Sequence, residues 1–221
     1  MQKRIVINAD DFGLSDGVNR AVVQAHTEGV LTSATIMTTM LAAEDAVRLA
    51  KELPDLGVGV HLTLTEGRPI CRDQRVRPLL GDDGAFALSP TRLALLSLTS
   101  LKVRVAIRTE IAAQIQLLID KGLRPTHIDS HKHIHTFPVI YSMVCQAARR
   151  FGVRAIRWAF EPREVSESPW PLPAEGGARR ARTVRVMARA NRLQNSDFIR
   201  TEALLGIAHT GKICLLYTSD A

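Results

Sequence analysis

Short apolar runs alternate along this chain with longer stretches in which apolar residues recur every three or four positions. Residues 4–8 read as a first strand that ends in polar residues. Ser15 then offers an N-cap, and Val18, Val22 and Ala25 follow at helical spacing up to Gly29. Residues 32–39, rich in Thr, Ile and Met, predict a second strand, and residues 42–53 a helix that stops at Pro54. A third strand is expected over residues 58–64. From Arg68 the pattern loosens through Pro69, Pro78, the turn signal Asp82-Asp83-Gly84 and Pro90. Residues 68–103 therefore read as an insertion or lid, with a short helix in its leucine-rich part. Ile107, Ile111, Ile115 and Leu118 share one face of a helix over residues 107–121, ended by Gly122. Residues 126–130 and 155–160 predict a fourth and a fifth strand, with a helix from Pro138 to Gly152 between them. A loop over residues 161–177, a basic helix and a weak strand over residues 203–207 follow.

Such alternation implies an α/β fold with parallel strands and helices outside. Five or six units fit either an α/β barrel or an open doubly wound sheet. No glycine-rich phosphate loop follows the first strand, which disfavours the nucleotide-binding versions.

The 221 residues, 46% of them hydrophobic, suit one sizeable domain, which buries about 70% of its unfolded surface. The apolar stretch at the N-terminus is only Ile5 to Ile7, so no signal peptide is expected, and no run approaches the roughly 20 residues of a membrane helix. A soluble, cytoplasmic protein with no membrane partner is the expectation. Cys71, Cys145 and Cys214 are scattered, which argues against a disulfide framework or a cysteine zinc site; Cys145 reads as a small buried apolar residue. The net charge of +7 sits largely in residues 179–192, which carry six arginines. That stretch reads as a solvated helix face. No aromatic interleaving or nucleic-acid motif accompanies it, so no nucleic-acid partner is expected.

Three constellations carry chemistry. Asp10 and Asp11 stand side by side in NADDFG, at the end of the expected first strand. Adjacent carboxylates repel, so they either share a cation or a proton, or they cap the helix that starts near Ser15. His61 lies in GVGVHLTL, where alternation puts it on one face with Gly59 and Thr63. Gly59 leaves room beside the imidazole, and Val60 and Leu62 point into apolar packing. A histidine there is either a satisfied core residue or a ligand. The third constellation is the tract His127, Asp129, His131, His133 and His135, all at odd positions, which period two places on one face of an extended chain. Crowded imidazoles repel when protonated, and a metal or a deep polar pocket resolves that. The three groups fall on three strands, two of them at the C-terminal ends where parallel α/β folds build their sites. By softness, a His, His, Asp set suits zinc, iron, cobalt or manganese, and magnesium less obviously.

NADDFGLS after the first strand, GVH in the third, and THIDSHKHIH followed by TFP resemble the YdjC-like family over residues 3–212. The resemblance implies a (β/α) barrel-like fold related to polysaccharide deacetylases, and a hydrolase that removes an N-acetyl group from an amino sugar or oligosaccharide. It makes Asp11, His61 and His131 the metal ligands and Asp10 the general base. The family's metal is magnesium, with zinc kept as the alternative. His127 and Asp129 become candidates for orienting a ligand or the base, and His133 and His135 for lining the substrate groove or capping the loop. His209 in GIAHTGK is a further candidate. Family members carry a late histidine motif that serves as general acid, and nothing here matches it. Residues 1–212 are thus expected to form a C-terminally truncated deacetylase domain, with residues 213–221 a non-native tail. Two alternatives stay open: a metal-dependent phosphoesterase, suggested by Lys132 and Arg68, and a non-catalytic sugar- or anion-binding truncated homologue. The leucine-rich stretch offers a homodimer face or a lid.

Overall fold

The structure is a computed structural model that describes residues 5–167, 175–192 and 197–210. The expected tail and Cys214 lie outside these residues. The chain divides into two compact units at Ile156/Arg157.

The first unit is a five-stranded parallel sheet in the order β1-β2-β3-β4-β5, formed by β1 (Asn8–Phe12), β2 (Ser33–Ile36), β3 (Gly57–Leu62), β4 (His127–Ser130) and β5 (Ala155–Ile156). Strand order equals chain order. Every right-handed crossover therefore steps the same way and lays its helix on the same face. That is the winding of a barrel wall, and it removes the doubly wound alternative, whose order reverses at a switch point. The α/β class with parallel strands is as expected.

The strands have two unlike faces. Ala34, Ile36, Val58, Val60, Leu62, Ile128 and Ile156 are buried on one. Alternation puts Ser33, Thr35, Gly57, Gly59, His61, His127 and Asp129 on the other. The apolar face is covered by α1 (Asp16–Thr27), α2 (Ala43–Glu52), α4 (Leu101–Asp120) and α5 (Pro138–Phe151). Ser15 caps α1 by accepting from Val18 N, and Pro138 opens α5, which Gly152 ends at φ 71°. Between β3 and α4 the insertion holds a short 3₁₀ turn (Gln74–Leu79) and α3 (Pro90–Thr99). α4 starts six residues earlier than its apolar spacing predicts, because Ser100 accepts from Val103 N and sets the cap there. The insertion is anchored to α4 by Glu110, a buried carboxylate that accepts from Ile70 N at 2.9 Å, Cys71 N at 3.0 Å and Gln114 Nε2 at 2.8 Å. Burial pushes the Glu110 carboxyl up, and those three donors only partly offset it. Leu95, Leu98 and Leu101 on the insertion side are exposed. Cys145 is buried in α5, as expected.

The second unit contains α6 (Arg163–Ser166) and the basic α7 (Gly177–Ala190). Ala181 and Val184 of α7 pack with Ala159, Ile207 and Ala208, while Arg179, Arg180 and Arg182 face solvent. The weak strand expected over residues 203–207 does not form among the described residues. The fully buried Glu161 carboxylate takes up those amides instead, accepting from Gly206 N at 2.7 Å, Ile207 N at 2.9 Å and Ala208 N at 2.9 Å. With the Gly206 and Ile207 amides on this carboxylate and Leu204 N donating to Phe160 O at 2.9 Å, few donors are left in the segment for a ladder. β5 is likewise shorter than expected, two residues rather than six.

Candidate metal centre

β1 runs over Asn8–Phe12, not residues 4–8, so Asp10 and Asp11 lie inside it rather than beyond its end. Ala9 pairs with Ala34 and Phe12 with Ile36, so β1 carries one residue more than β2 across this step. The extra residue makes a bulge, with Asp11 in the left-handed region at φ 62°. A regular strand would send Asp10 and Asp11 to opposite faces. With the bulge, both carboxylates come within reach of His61. The turn that follows is held by Asn19, fully buried in α1. Its Oδ1 accepts from Gly13 N at 2.8 Å, and its Nδ2 donates to Ala42 O at 3.0 Å and Asp45 Oδ2 at 3.1 Å.

His61 is buried near the end of β3, with the β4 residue Asp129 in register beside it. Its Nδ1–H donates to Asp129 Oδ1 at 2.7 Å, and Thr35 Oγ1 donates to Asp129 Oδ2 at 3.1 Å. The other ring nitrogen, Nε2, lies 3.1 Å from Asp11 Oδ1. The room expected at Gly59 is taken by a neighbour: a Cβ there would stand 2.7 Å from the His127 ring.

The histidine tract does not stay extended. β4 stops at Ser130, and His131–Thr136 turn as a 3₁₀ segment in which Lys132 (φ 55°) and His133 (φ 53°) are left-handed. The one-face reading of His127, His131, His133 and His135 is therefore corrected, because a left-handed residue breaks the two-residue period. His131 Nδ1 lies 3.0 Å from Asp11 Oδ1, and its Nε2 lies 3.2 Å from Glu66 Oε2. His135 is fully buried, its ring bonded to Ser130 Oγ and its own N–H donating to that oxygen at 2.9 Å. The His133 ring packs edge-on against it, with centroids 6.4 Å apart. His127 sits lower on the sheet, where its Nε2 lies 3.2 Å from Asn8 Oδ1 and its Nδ1 2.8 Å from Thr126 Oγ1. Asn8 Nδ2 donates to Asp10 Oδ1 at 2.8 Å, so Asn8 links His127 to Asp10. His209 is buried in the second unit.

Asp11 Oδ1, His61 Nε2 and His131 Nδ1 thus converge. Three donors that share one tetrahedral ion at about 2.1 Å stand about 3.4 Å apart, close to the 3.0 and 3.1 Å observed from Asp11. A second set, Asp10, His61 and Asp129, also brings its donor atoms within 4.8 Å of one another. There, however, Asp129 is already bonded to the His61 Nδ1–H and to Thr35. The electrostatics around His61, which both sets share, suit a cation. Burial alone would raise the Asp11 carboxyl, but hydrogen bonds and charge from His131 and His61 outweigh it and hold it well below the usual carboxylate range. Burial alone would lower His61, but Asp129, Asp11 and Asp10 together push it up to about 10. The carboxylates that retain a proton on this ring are equally placed to retain a metal ion.

Sequence reasoning singled out Asp10, Asp11, His61 and His131, and the structure brings them together. It did not single out Glu66, Thr35, Asn8 or Asn19.

A family model described as YdjC-like protein matches residues 4–215. A carbohydrate deacetylase of Brevibacillus brevis is 41% identical over 174 residues, 78% of this chain and 67% of that protein. One from Geobacillus stearothermophilus is 44% identical over 161 residues, 72% and 62% respectively. A chitooligosaccharide deacetylase of Salmonella paratyphi B is 40% identical over 154 residues, 69% and 58%. The chain therefore spans about three fifths to two thirds of the length of these curated relatives. Among solved structures, an Enterococcus faecalis protein provisionally described as a cellobiose-phosphate cleavage protein superposes with a TM-score of 0.59 at 32% identity, covering 69% of this chain and 57% of that one.

Proposed function

The chain belongs to the YdjC-like protein family, and from that premise we propose that it is a metal-dependent hydrolase that removes an N-acetyl group from an amino sugar or oligosaccharide. The observation that supports the reading is the approach of His61 Nε2 and His131 Nδ1 to Asp11 Oδ1, at 3.1 and 3.0 Å, with the Asp10 carboxylate alongside. Asp11, His61 and His131 hold the ion. A divalent ion held there would supply Lewis acidity for the acetamide carbonyl and for the attacking water.

The rest falls to the protein. Asp10 takes the proton from the attacking water. Asn8, donating to Asp10 Oδ1, keeps that carboxylate directed, and His127 fixes the Asn8 amide from behind. Asp129 holds the His61 ring through its Nδ1–H, so that Nε2 faces the ion. Cleavage of the amide, with a proton delivered to the leaving nitrogen, gives acetate and a free amino sugar. The resemblance names magnesium, whereas two imidazole nitrogens with a carboxylate suit zinc. Of the basic residues that suggest a phosphoesterase, Lys132 is paired with Glu66, which leaves it poorly disposed to receive a phosphoryl group.

The test is metal content beside acetate release from an N-acetylated chito-oligosaccharide, after loading with magnesium or zinc in turn. The parent chain is expected to hold about one ion, as a three-ligand site does, and His61→Ala and His131→Ala to lose it together with acetate release. A folded parent that binds neither ion would overturn the reading. Phosphate release from a phosphomonoester without acetate release would replace it with the phosphoesterase.

A further inference from the structure

We propose that Glu66 is a positioning residue that fixes which nitrogen of His131 faces the ion, an assignment that rests on the metal-site reading above. Glu66 belongs to none of the sequence motifs. It follows β3 immediately before Gly67, whose φ of 77° and whose position, where a Cβ would stand 2.7 Å from Thr39 O, admit only glycine. Arg68 N donates to Thr39 O at 3.3 Å and Phe86 N to Gly67 O at 3.0 Å, so this turn is pinned from both sides. Across from it, the left-handed Lys132 carries its ammonium back to Glu66 Oε1. That contact leaves Glu66 Oε2 pointing at His131 Nε2, 3.2 Å away.

The chemistry of the groups then decides the tautomer. A carboxylate only accepts, so the nitrogen facing Glu66 must carry the hydrogen. The other nitrogen, Nδ1, faces the Asp11 carboxylate at 3.0 Å and falls under the same rule, so the choice is made where an ion stands between Nδ1 and Asp11: Nδ1 then gives its lone pair to the ion, and the ring hydrogen stays on Nε2 against Glu66. His61 is arranged in the opposite sense: Asp129 holds Nδ1–H and Nε2 faces Asp11. The two histidines thus present opposite nitrogens to one ion, and each is held by a carboxylate of its own. Such partners commonly change metal affinity by about 10- to 100-fold when removed. A surface Lys–Glu pair with no further role would require neither a glycine-only turn on one side nor left-handed residues on the other.

The experiment uses the full chain and zinc, with affinity measured by competition against a chelator and the histidine tautomers read from ¹⁵N-labelled, zinc-loaded protein. The parent is expected to show His131 protonated at Nε2 and bound through Nδ1. Glu66→Ala should weaken zinc binding by about 10- to 100-fold and mix the His131 tautomers. Glu66→Gln, whose amide oxygen still accepts that N–H, should recover part of both; it also carries the test if the alanine variant does not fold. Unchanged affinity and an unchanged His131 spectrum in both variants would overturn the role of Glu66 alone. A parent that binds no zinc would overturn the metal site and this assignment with it.

Discussion

Replacing Asp129 separates the charge it supplies from the shape it fills. The residue is fully buried and accepts hydrogen bonds on both oxygens, from His61 Nδ1–H at 2.7 Å and Thr35 Oγ1 at 3.1 Å. In Asp129→Asn the amide oxygen can still accept from His61, and Thr35 Oγ1 can turn to accept from the new NH₂ group, so the fold should survive with a small change in melting temperature. What is lost is charge. A charge-assisted hydrogen bond is roughly twice as strong as a neutral one, and the ring becomes a poorer electron donor, so zinc affinity should fall by about tenfold, or about 1.4 kcal/mol. Asp129→Ala removes both acceptors. It takes the acceptor from the Thr35 hydroxyl in a buried site, at about 1–3 kcal/mol, and leaves the His61 Nδ1–H with the neutral Thr35 Oγ1, 3.1 Å away, in place of a carboxylate, so the ring is held less firmly in its tautomer. Zinc affinity should then fall by about 100-fold, with a clear loss of thermal stability. Chelator competition and thermal melting on the same samples measure both effects. If both variants bind zinc as the parent does, Asp129 is a core filler and His61 is not oriented through it.

Asp10→Asn should retain the ion and lower acetate release by about 10²- to 10⁴-fold, the range for a general base; loss of metal instead would show that the roles of Asp10 and Asp11 are reversed. Glu110→Ala strands the amides of Ile70 and Cys71, while Gln114 keeps its bonds to Thr63, which should destabilise the anchor by about 1–3 kcal/mol. Tryptic cleavage should then speed up at Arg72 and Arg75 before the rest of the chain is cut, and a digestion pattern identical to the parent's would contradict the anchoring role.

What could be read in the sequence was set by local chemistry. Pro138 and Gly152 bound α5 because an imposed φ and a left-handed cap are properties of those residues. The alternation that put His61 opposite Val60 and Leu62 held because β3 is regular. What was missed depends on contacts far along the chain. The turn after the β1 bulge is held by Asn19, which looks like any polar residue in a surface helix until its bonds to Gly13, Ala42 and Asp45 are seen. The histidine tract obeyed period two only as far as Ser130, since the left-handed Lys132 and His133 are imposed by the fold and lower the preference of neither residue for a strand. Glu66 gave no signal, because a charged residue after a strand usually faces water. The partnership of Asp129 with His61 needed the β3–β4 register, which only the sheet supplies.

Asp11, Lys132 and His133 are the non-glycine residues with positive φ among those described, and all three sit at or beside the candidate metal centre. An L-residue in that conformation costs roughly 1–2 kcal/mol, which glycine would not incur. A directed-evolution campaign that selected survivors by heat alone would therefore be drawn to these three positions, and glycine at Asp11 would remove the carboxylate that faces His61 and His131 in the same step that relaxed the backbone. Thermal tolerance and chemistry compete here for the same few residues, so any library meant to harden this scaffold should hold them fixed.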